Sequence, residues 1–216
     1  HIYSRNTNPT VAVFERRIAA LERAEAATAF ATGMAAISGT LRTLLGPGDR
    51  VVSVTDTYGG TTKLFLEFLP RDGVDVELVS TDDHDAIEAS VAQGCKVLYL
   101  ETPTNPTLKI LDIERLTAAG HAAGATVVVD NTFATPINQL PLELGADLVV
   151  HSATKFLGGH ADALGGIVCG NTDLIARIYH YREINGATLG SFAAYLLQRS
   201  VKTLHLRIER QNENAL

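Results

Sequence analysis

The stretch Leu148-Val149-Val150-His151-Ser152-Ala153-Thr154-Lys155-Phe156-Leu157-Gly158-Gly159-His160 decides how the rest of the chain is read. An apolar run that reads as a buried strand end leads into two hydroxyls, a single lysine, and then small residues. A lysine at the mouth of a strand fits two chemistries: pairing with a phosphate, or forming a Schiff base with an aldehyde. The phosphate-loop pattern is missing, because no glycine precedes Lys155 and Phe156 follows it in place of Ser or Thr. A lone lysine in a loop is more often a solvated side chain. A second stretch upstream, Val127-Val128-Val129-Asp130-Asn131-Thr132, changes that balance. There an apolar strand ends on a carboxylate.

A carboxylate in that place suits a Schiff-base lysine. A pyridine ring acts as an electron sink only while its nitrogen stays protonated, and a hydrogen-bonded aspartate keeps that proton in place. Asp130 closing one strand and Lys155 following the next would put both at the carboxyl edge of a parallel sheet, where open α/β folds bind ligands. Taken alone, Asp130 would equally well read as a turn or helix cap.

Further stretches run the length of the chain in order. They are Tyr3-Ser4-Arg5 with Asn8-Pro9-Thr10, Thr32-Gly33-Met34-Ala35-Ala36, Pro47-Gly48-Asp49, Tyr58-Gly59-Gly60, and Glu101-Thr102-Pro103-Thr104-Asn105-Pro106. Together with the two strand ends they resemble the Cys/Met-metabolism, cystathionine γ-synthase-like family of pyridoxal-phosphate enzymes of fold type I. The resemblance implies an α/β fold with a mostly parallel sheet flanked by helices, the large domain of an aspartate-aminotransferase-like enzyme. It also implies pyridoxal 5'-phosphate as cofactor and residues 1–216 as the cofactor-binding large domain. Relatives in that family are longer at both ends, so the chain reads as truncated at both, with the small carboxyl-terminal domain absent.

Composition agrees with one sizeable core: 216 residues, 46% of them hydrophobic. Eighteen basic residues against 24 acidic give −6, which argues against nucleic acid or an anionic membrane surface as partner. No apolar run is long enough for a membrane span, and no signal-peptide pattern is present. Cys95 and Cys169 sit in or beside apolar runs and read as buried small hydrophobes in a reducing, cytoplasmic compartment. The histidines lack metal-ligand spacing.

Periodicity predicts helices over 10–22, with Thr10 as N-cap, and over 32–45, 58–69, 83–93, 112–123, 173–181 and 191–213. Strands are predicted over 27–31, 50–54, 74–79, 96–100, 126–130 and 147–151, with a further apolar run over 165–169. Strands alternating with helices mean a mostly parallel sheet with crossover helices.

Gly33 and Met34 fall at a helix amino end, where free N–H groups and the dipole favour an anion such as a phosphate. Ser152 and Thr154 can add hydroxyl donors. By the resemblance, Tyr3 and Arg5 reach the phosphate of the neighbouring subunit's site, which implies at least a homodimer or a homotetramer. Tyr58 would stack on the ring and assist proton transfer, Asn105 would lie near the ring's phenolic oxygen, and Thr132 would pack beside Asp130. Glu101 would support them from behind. Methionine γ-lyases of the family carry a cysteine two residues after this tyrosine, whereas this chain has Gly60. The implied activity is carbon–sulfur lysis by β- or γ-elimination on cysteine-, cystathionine- or homocysteine-type substrates. Lys155, Tyr58 and Asp130 would be the catalytic residues and an amino acid the small-molecule partner. A γ-replacement transferase and a non-catalytic scaffold of the same fold are the alternatives.

Overall fold

The computed structural model describes residues 2–216. Seven strands form one sheet: β1 (Ala26–Phe30), β2 (Arg50–Val54), β3 (Asp75–Val79), β4 (Val97–Glu101), β5 (Thr126–Asp130), β6 (Leu148–Ser152) and β7 (Gly166–Gly170). Nine α-helices pack around it: α1 (Pro9–Glu22), α2 (Gly33–Leu44), α3 (Gly59–Lys63), α4 (His84–Ala92), α5 (Ile113–Ala122), α6 (Thr135–Asn138), α7 (Thr172–Asn185), α8 (Ser191–Val201) and α9 (Leu204–Ala215).

Strand order is β1-β7-β6-β5-β4-β2-β3. The pairs β3–β2, β2–β4, β4–β5 and β5–β6 are parallel, and β7 runs antiparallel to both its neighbours. The mostly parallel sheet expected from the alternation is thus present, with one reversal. Its cause is the connection: residues 153–165 double back as a loop, and a loop without a crossover helix returns the chain antiparallel.

The central strands are apolar runs rich in β-branched residues because both faces of the sheet are covered. Alternate residues go to opposite layers. Val128, Tyr99 and Val150 pack under α2 and α7 with Ile37, Leu41 and Ile178. Val127, Val129, Leu98 and Leu100 pack under α4 and α5 with Ile87 and Leu116. Val149 and Ile167 meet Phe14 and Ile18 of α1 and Leu197 of α8.

Several boundaries differ from the periodicity. The cap of α1 is Asn8, whose side chain accepts from the N–H groups of Thr10 and Val11. Pro9 takes the first helical position, which suits its fixed φ and missing N–H, so Thr10 already lies inside the helix. The helix expected over 58–69 is α3 followed by a wide turn over Leu64–Phe68 and a tight one over Leu69–Asp72. The helix expected over 191–213 is two, α8 and α9. At the break the Thr203 N–H and hydroxyl both donate to the Ser200 carbonyl (3.2 Å each), which diverts that acceptor from the helical ladder. Helix α7 runs on to Asn185 and stops at Gly186 (φ 85°). Cys169 is buried, while Cys95 is only half-buried; burial pushes both thiols up.

Helix α2 is seated directly on the sheet edge. A Cβ on Gly166 of β7 would lie 2.2 Å from the Thr32 carbonyl oxygen, and one on Gly33 would lie 2.6 Å from the Ser152 Cβ. Both positions must be bare for the helix to come this close. Gly166→Ala is expected to cost ~1–3 kcal/mol, as overpacking against backbone does. The shift of the urea midpoint at unchanged m measures it.

Candidate active site

The carboxyl ends of β1, β2, β4, β5 and β6 lie along one edge of the sheet, and each is followed by residues the sequence singled out. The loops they start enclose a cavity of about 990 Å³. Gly33, Met34, Tyr58, Asn105, Asp130, Thr132, Ser152, Thr154 and Lys155 all line it, as does Glu101. The structure therefore brings together nine of the eleven residues that sequence reasoning named as site residues. Tyr3 and Arg5 are not among the lining residues. Arg5 stacks over the Tyr3 ring with Cζ 5.0 Å from its centroid, and its Nη1 donates to the Glu183 carbonyl.

One wall is the amino end of α2. Thr32 caps it, its hydroxyl accepting from the Ala35 N–H at 3.0 Å. The N–H groups of Gly33 and Met34 fall in the first turn and have no intrahelical acceptor. Ser152 faces them closely, because Gly33 has no side chain to hold it off. A small, anion-ready cradle results, and a Cβ on Gly33 would push into it.

The floor is made by two adjacent strand ends. Glu101 and Asp130 are register partners across β4 and β5, so their side chains share one face. Both are buried. Asp130 Oδ1 accepts from the Thr132 N–H (3.0 Å) and Oδ2 from the Tyr99 hydroxyl (3.2 Å). Glu101 Oε2 accepts from the Tyr58 N–H (2.8 Å) and Oε1 from the Asn105 N–H (3.0 Å). Glu101 thereby fixes the backbone beneath both the tyrosine and the asparagine. Burial first, and the Asp130 charge second, raise Glu101 to about 8 against the pull of those two N–H groups.

Thr132 is used as an acceptor: its hydroxyl takes the Ser152 N–H at 2.8 Å and so ties the end of β5 to the end of β6. Thr154 is engaged with Gly165, its Oγ1 donating to that carbonyl at 3.2 Å and accepting from that N–H at 3.1 Å. Lys155 follows on a turn that projects from β6. The turn is closed by the Lys155 N–H to Ser152 carbonyl bond (3.1 Å) and the Gly158 N–H to Ala153 carbonyl bond (2.8 Å). The lysine side chain is exposed to the cavity.

Two groups of residues escaped the sequence reading. Tyr99, fully buried in β4, reaches Asp130, and burial beside that carboxylate drives its phenol well above the usual range. Behind the sheet, Glu22 Oε1 takes the Asn131 amide (2.9 Å) and meets His151 Nε2 (2.5 Å). Gln139 Nε2 then joins the Asn131 side chain (2.9 Å) to the Thr102 carbonyl (3.0 Å). This network knots the ends of β4, β5 and β6 to α1. Nothing local marks Glu22, which reads as one more charge on a helical pattern. Among the described residues, no group of three or more His, Cys, Asp or Glu could hold a metal ion, and no helix is long and apolar enough to cross a membrane.

An amine, a buried carboxylate and a helix amino end around one cavity, at the carboxyl edge of a parallel sheet, place the chain among open α/β proteins that bind ligands at that edge. A profile described as "Cys/Met metabolism PLP-dependent enzyme" matches residues 1–216. The chain belongs to that family. It is 46% identical to an L-methionine gamma-lyase of Fusobacterium nucleatum subsp. polymorphum over 218 residues, covering 100% of this chain and 55% of that protein. It is 45% identical to the chloroplastic cystathionine gamma-synthase 1 of Arabidopsis thaliana over 215 residues, covering 99% of this chain and 38% of that protein. A crystal structure of cystathionine gamma-lyase from Lactobacillus plantarum, complexed with L-serine, superposes with a TM-score of 0.91 at 42% identity, covering 94% of this chain and 54% of that one. The chain spans between 38% and 56% of the length of these curated relatives and of a cystathionine gamma-lyase of Bacillus subtilis.

The raised Glu101 has a consequence for stability. A carboxyl whose folded pKa lies above its unfolded value favours the fold while protonated, so that contribution fades as pH rises from about 4.5 toward about 8. In Glu101→Gln, thermal unfolding of the cofactor-free protein is expected to vary less across this window than in the wild type. Equal pH dependence in the two proteins would contradict it.

Proposed function

We propose that this chain is the cofactor-binding part of a pyridoxal-phosphate-dependent carbon–sulfur lyase, acting by β- or γ-elimination on cysteine-, cystathionine- or homocysteine-type substrates. The observation that carries the reading is the placing of Asp130 and Lys155 on the same cavity as the bare amino end of α2. Those three features suit the cofactor's ring nitrogen, aldehyde and phosphate in turn.

The donor set fits the group. The N–H groups of Gly33 and Met34, with the Ser152 hydroxyl, would hold the phosphate. Thr154 would serve that end by bracing the loop at Gly165. Asp130, fixed by Tyr99 and the Thr132 N–H, would hold a proton on the ring nitrogen. Thr132 would pack beside it, Asn105 would face the ring's phenolic oxygen, and Tyr58 would cover a ring face. When bound, pyridoxal phosphate supplies a reactive aldehyde and a protonated ring that draws electrons from the amino acid's Cα. Lys155 Nζ serves first as the anchoring amine. The same amine would be the base that takes the Cα proton and returns it at Cβ. The Tyr58 hydroxyl assists that transfer. Tyr3 and Arg5 are assigned to the phosphate of a neighbouring subunit, where the arginine fork would grip bidentately.

Within this reading Gly60 disfavours a methionine-γ-lyase-like site. A Cβ there would lie 2.8 Å from a Tyr58 ring carbon and 2.9 Å from the Met34 sulfur, so the position is filled by its neighbours. A γ-replacement transferase is the second reading, favoured by the 45% identity to a cystathionine γ-synthase.

Lys155→Ala is expected to lose covalent retention of the cofactor, read as the mass increment after borohydride reduction, and to lower turnover by at least ~10²-fold. Asp130→Asn is expected to keep the cofactor but lower kcat, because an amide cannot hold the ring proton. Wild-type turnover in either variant would remove that residue from its role. Cysteine, cystathionine, methionine and an O-acyl-homoserine should each be offered, with oxo-acid and thiol measured. Oxo-acid from the sulfur substrates supports lysis. Replacement of the acyl group by an added thiol, without oxo-acid, supports the transferase.

A further inference from the structure

Arg207 lies on α9, far from Lys155 in sequence, yet it spends its guanidinium on the lysine's own turn. Nη1 donates to the Phe156 carbonyl (2.7 Å) and Nη2 to those of Leu157 (3.4 Å) and Ser200 (3.0 Å). Nε donates to the Thr203 hydroxyl (3.2 Å), which anchors the arginine at the α8–α9 break. The carbonyls of Phe156 and Leu157 accept no backbone N–H within the turn. A guanidinium there fills those acceptors with charge-assisted hydrogen bonds. The chain makes room for it: a Cβ on Gly159 would lie 2.2 Å from Nη1. Burial lowers the arginine's pKa, in keeping with a guanidinium drawn in from solvent.

Charge alone does not require this arrangement. A surface arginine would gain as much from a nearby carboxylate, whereas this one bridges the carbonyls of the lysine's turn to the carbonyl of Ser200 at the end of α8. The geometry makes α9 a support for the turn that carries Lys155.

We infer that Arg207 is a positioning residue for Lys155: by gripping the carbonyls of Phe156 and Leu157 it sets where the lysine amine stands. This rests on the reading of Lys155 as the amine that joins the cofactor. Substitution leaves the phosphate cradle and Asp130 untouched, because Arg207 reaches neither. The anchoring amine should therefore suffer while non-covalent affinity does not.

The test uses the purified cofactor-free protein as wild type, Arg207→Lys and Arg207→Ala, with unfolding curves to confirm the fold. Pyridoxal, which lacks the phosphate, is added with cyanoborohydride, and labelling of each lysine is followed by peptide mass. Lys63, Lys96, Lys109 and Lys202 are internal references. In the wild type, Lys155 should label faster than these four. In both variants its rate relative to them should fall by about tenfold or more, as a displaced reacting group does. Affinity for pyridoxamine phosphate, which cannot join a lysine, should stay within twofold. Arg207→Lys separates fork from charge and reads the proposal if Arg207→Ala does not fold. An unchanged labelling ratio in Arg207→Lys overturns the inference, and so does a parallel loss of pyridoxamine phosphate affinity, which marks general damage. If wild-type Lys155 labels no faster than the references, the cofactor reading itself falls, and this inference with it.

Discussion

The close seating of α2 against the edge of β6 and β7 is the constraint on which the site depends. Two glycines, Gly33 and Gly166, let backbone meet backbone and side chain where any Cβ would collide. A helix amino end held off by even a methyl group would point its free N–H groups at solvent instead of at the mouth of the cavity. The rest of the edge is then built to the same tolerance. Thr132 bonds β5 to β6, Glu101 fixes the loops after β2 and β4, and the network of Glu22, Asn131 and Gln139 braces three strand ends from behind.

The floor of the cavity shows how burial is turned to use. Two carboxyls side by side at the end of adjacent buried strands repel each other, and water cannot relieve them. Their hydrogen-bond partners differ. Asp130 takes a phenol and one backbone N–H; Glu101 takes two backbone N–H groups and is still raised to about 8. Both carboxyls line the cavity, and Glu101 also holds the loops after β2 and β4 through the N–H groups of Tyr58 and Asn105.

Much of this was legible in the sequence because the informative residues stand at strand ends. An apolar run closed by Asp130, and another followed by hydroxyls and Lys155, carry their meaning locally, and the alternation of strand and helix carries the sheet. What stayed hidden depends on distance. Tyr99 sits inside an apolar strand run, and only its neighbour's register turns its hydroxyl toward Asp130. Glu22 and His151 meet from positions 129 residues apart in sequence. The reversal of β7 follows from the path of a loop, which composition does not encode. The break at Thr203 came from a hydroxyl and an arginine competing for the Ser200 carbonyl inside an otherwise unbroken helical pattern. The cap moved from Thr10 to Asn8 because Pro9 claimed the first helical position.

The antiparallel strand β7 also governs the order in which the molecule can assemble. Among the described residues it is the only strand paired with β1, Ala26 pairing Gly170 and Phe30 pairing Gly166, beside an isolated bridge from Phe30 to Thr188. β1 therefore has no strand partner until the six strands that follow it in sequence have been made. Pairings of such long sequence separation close late and slow folding. Until then β1 and the apolar face of α1 stay exposed, so the segment that carries them must be sheltered while the strands after it are already folding.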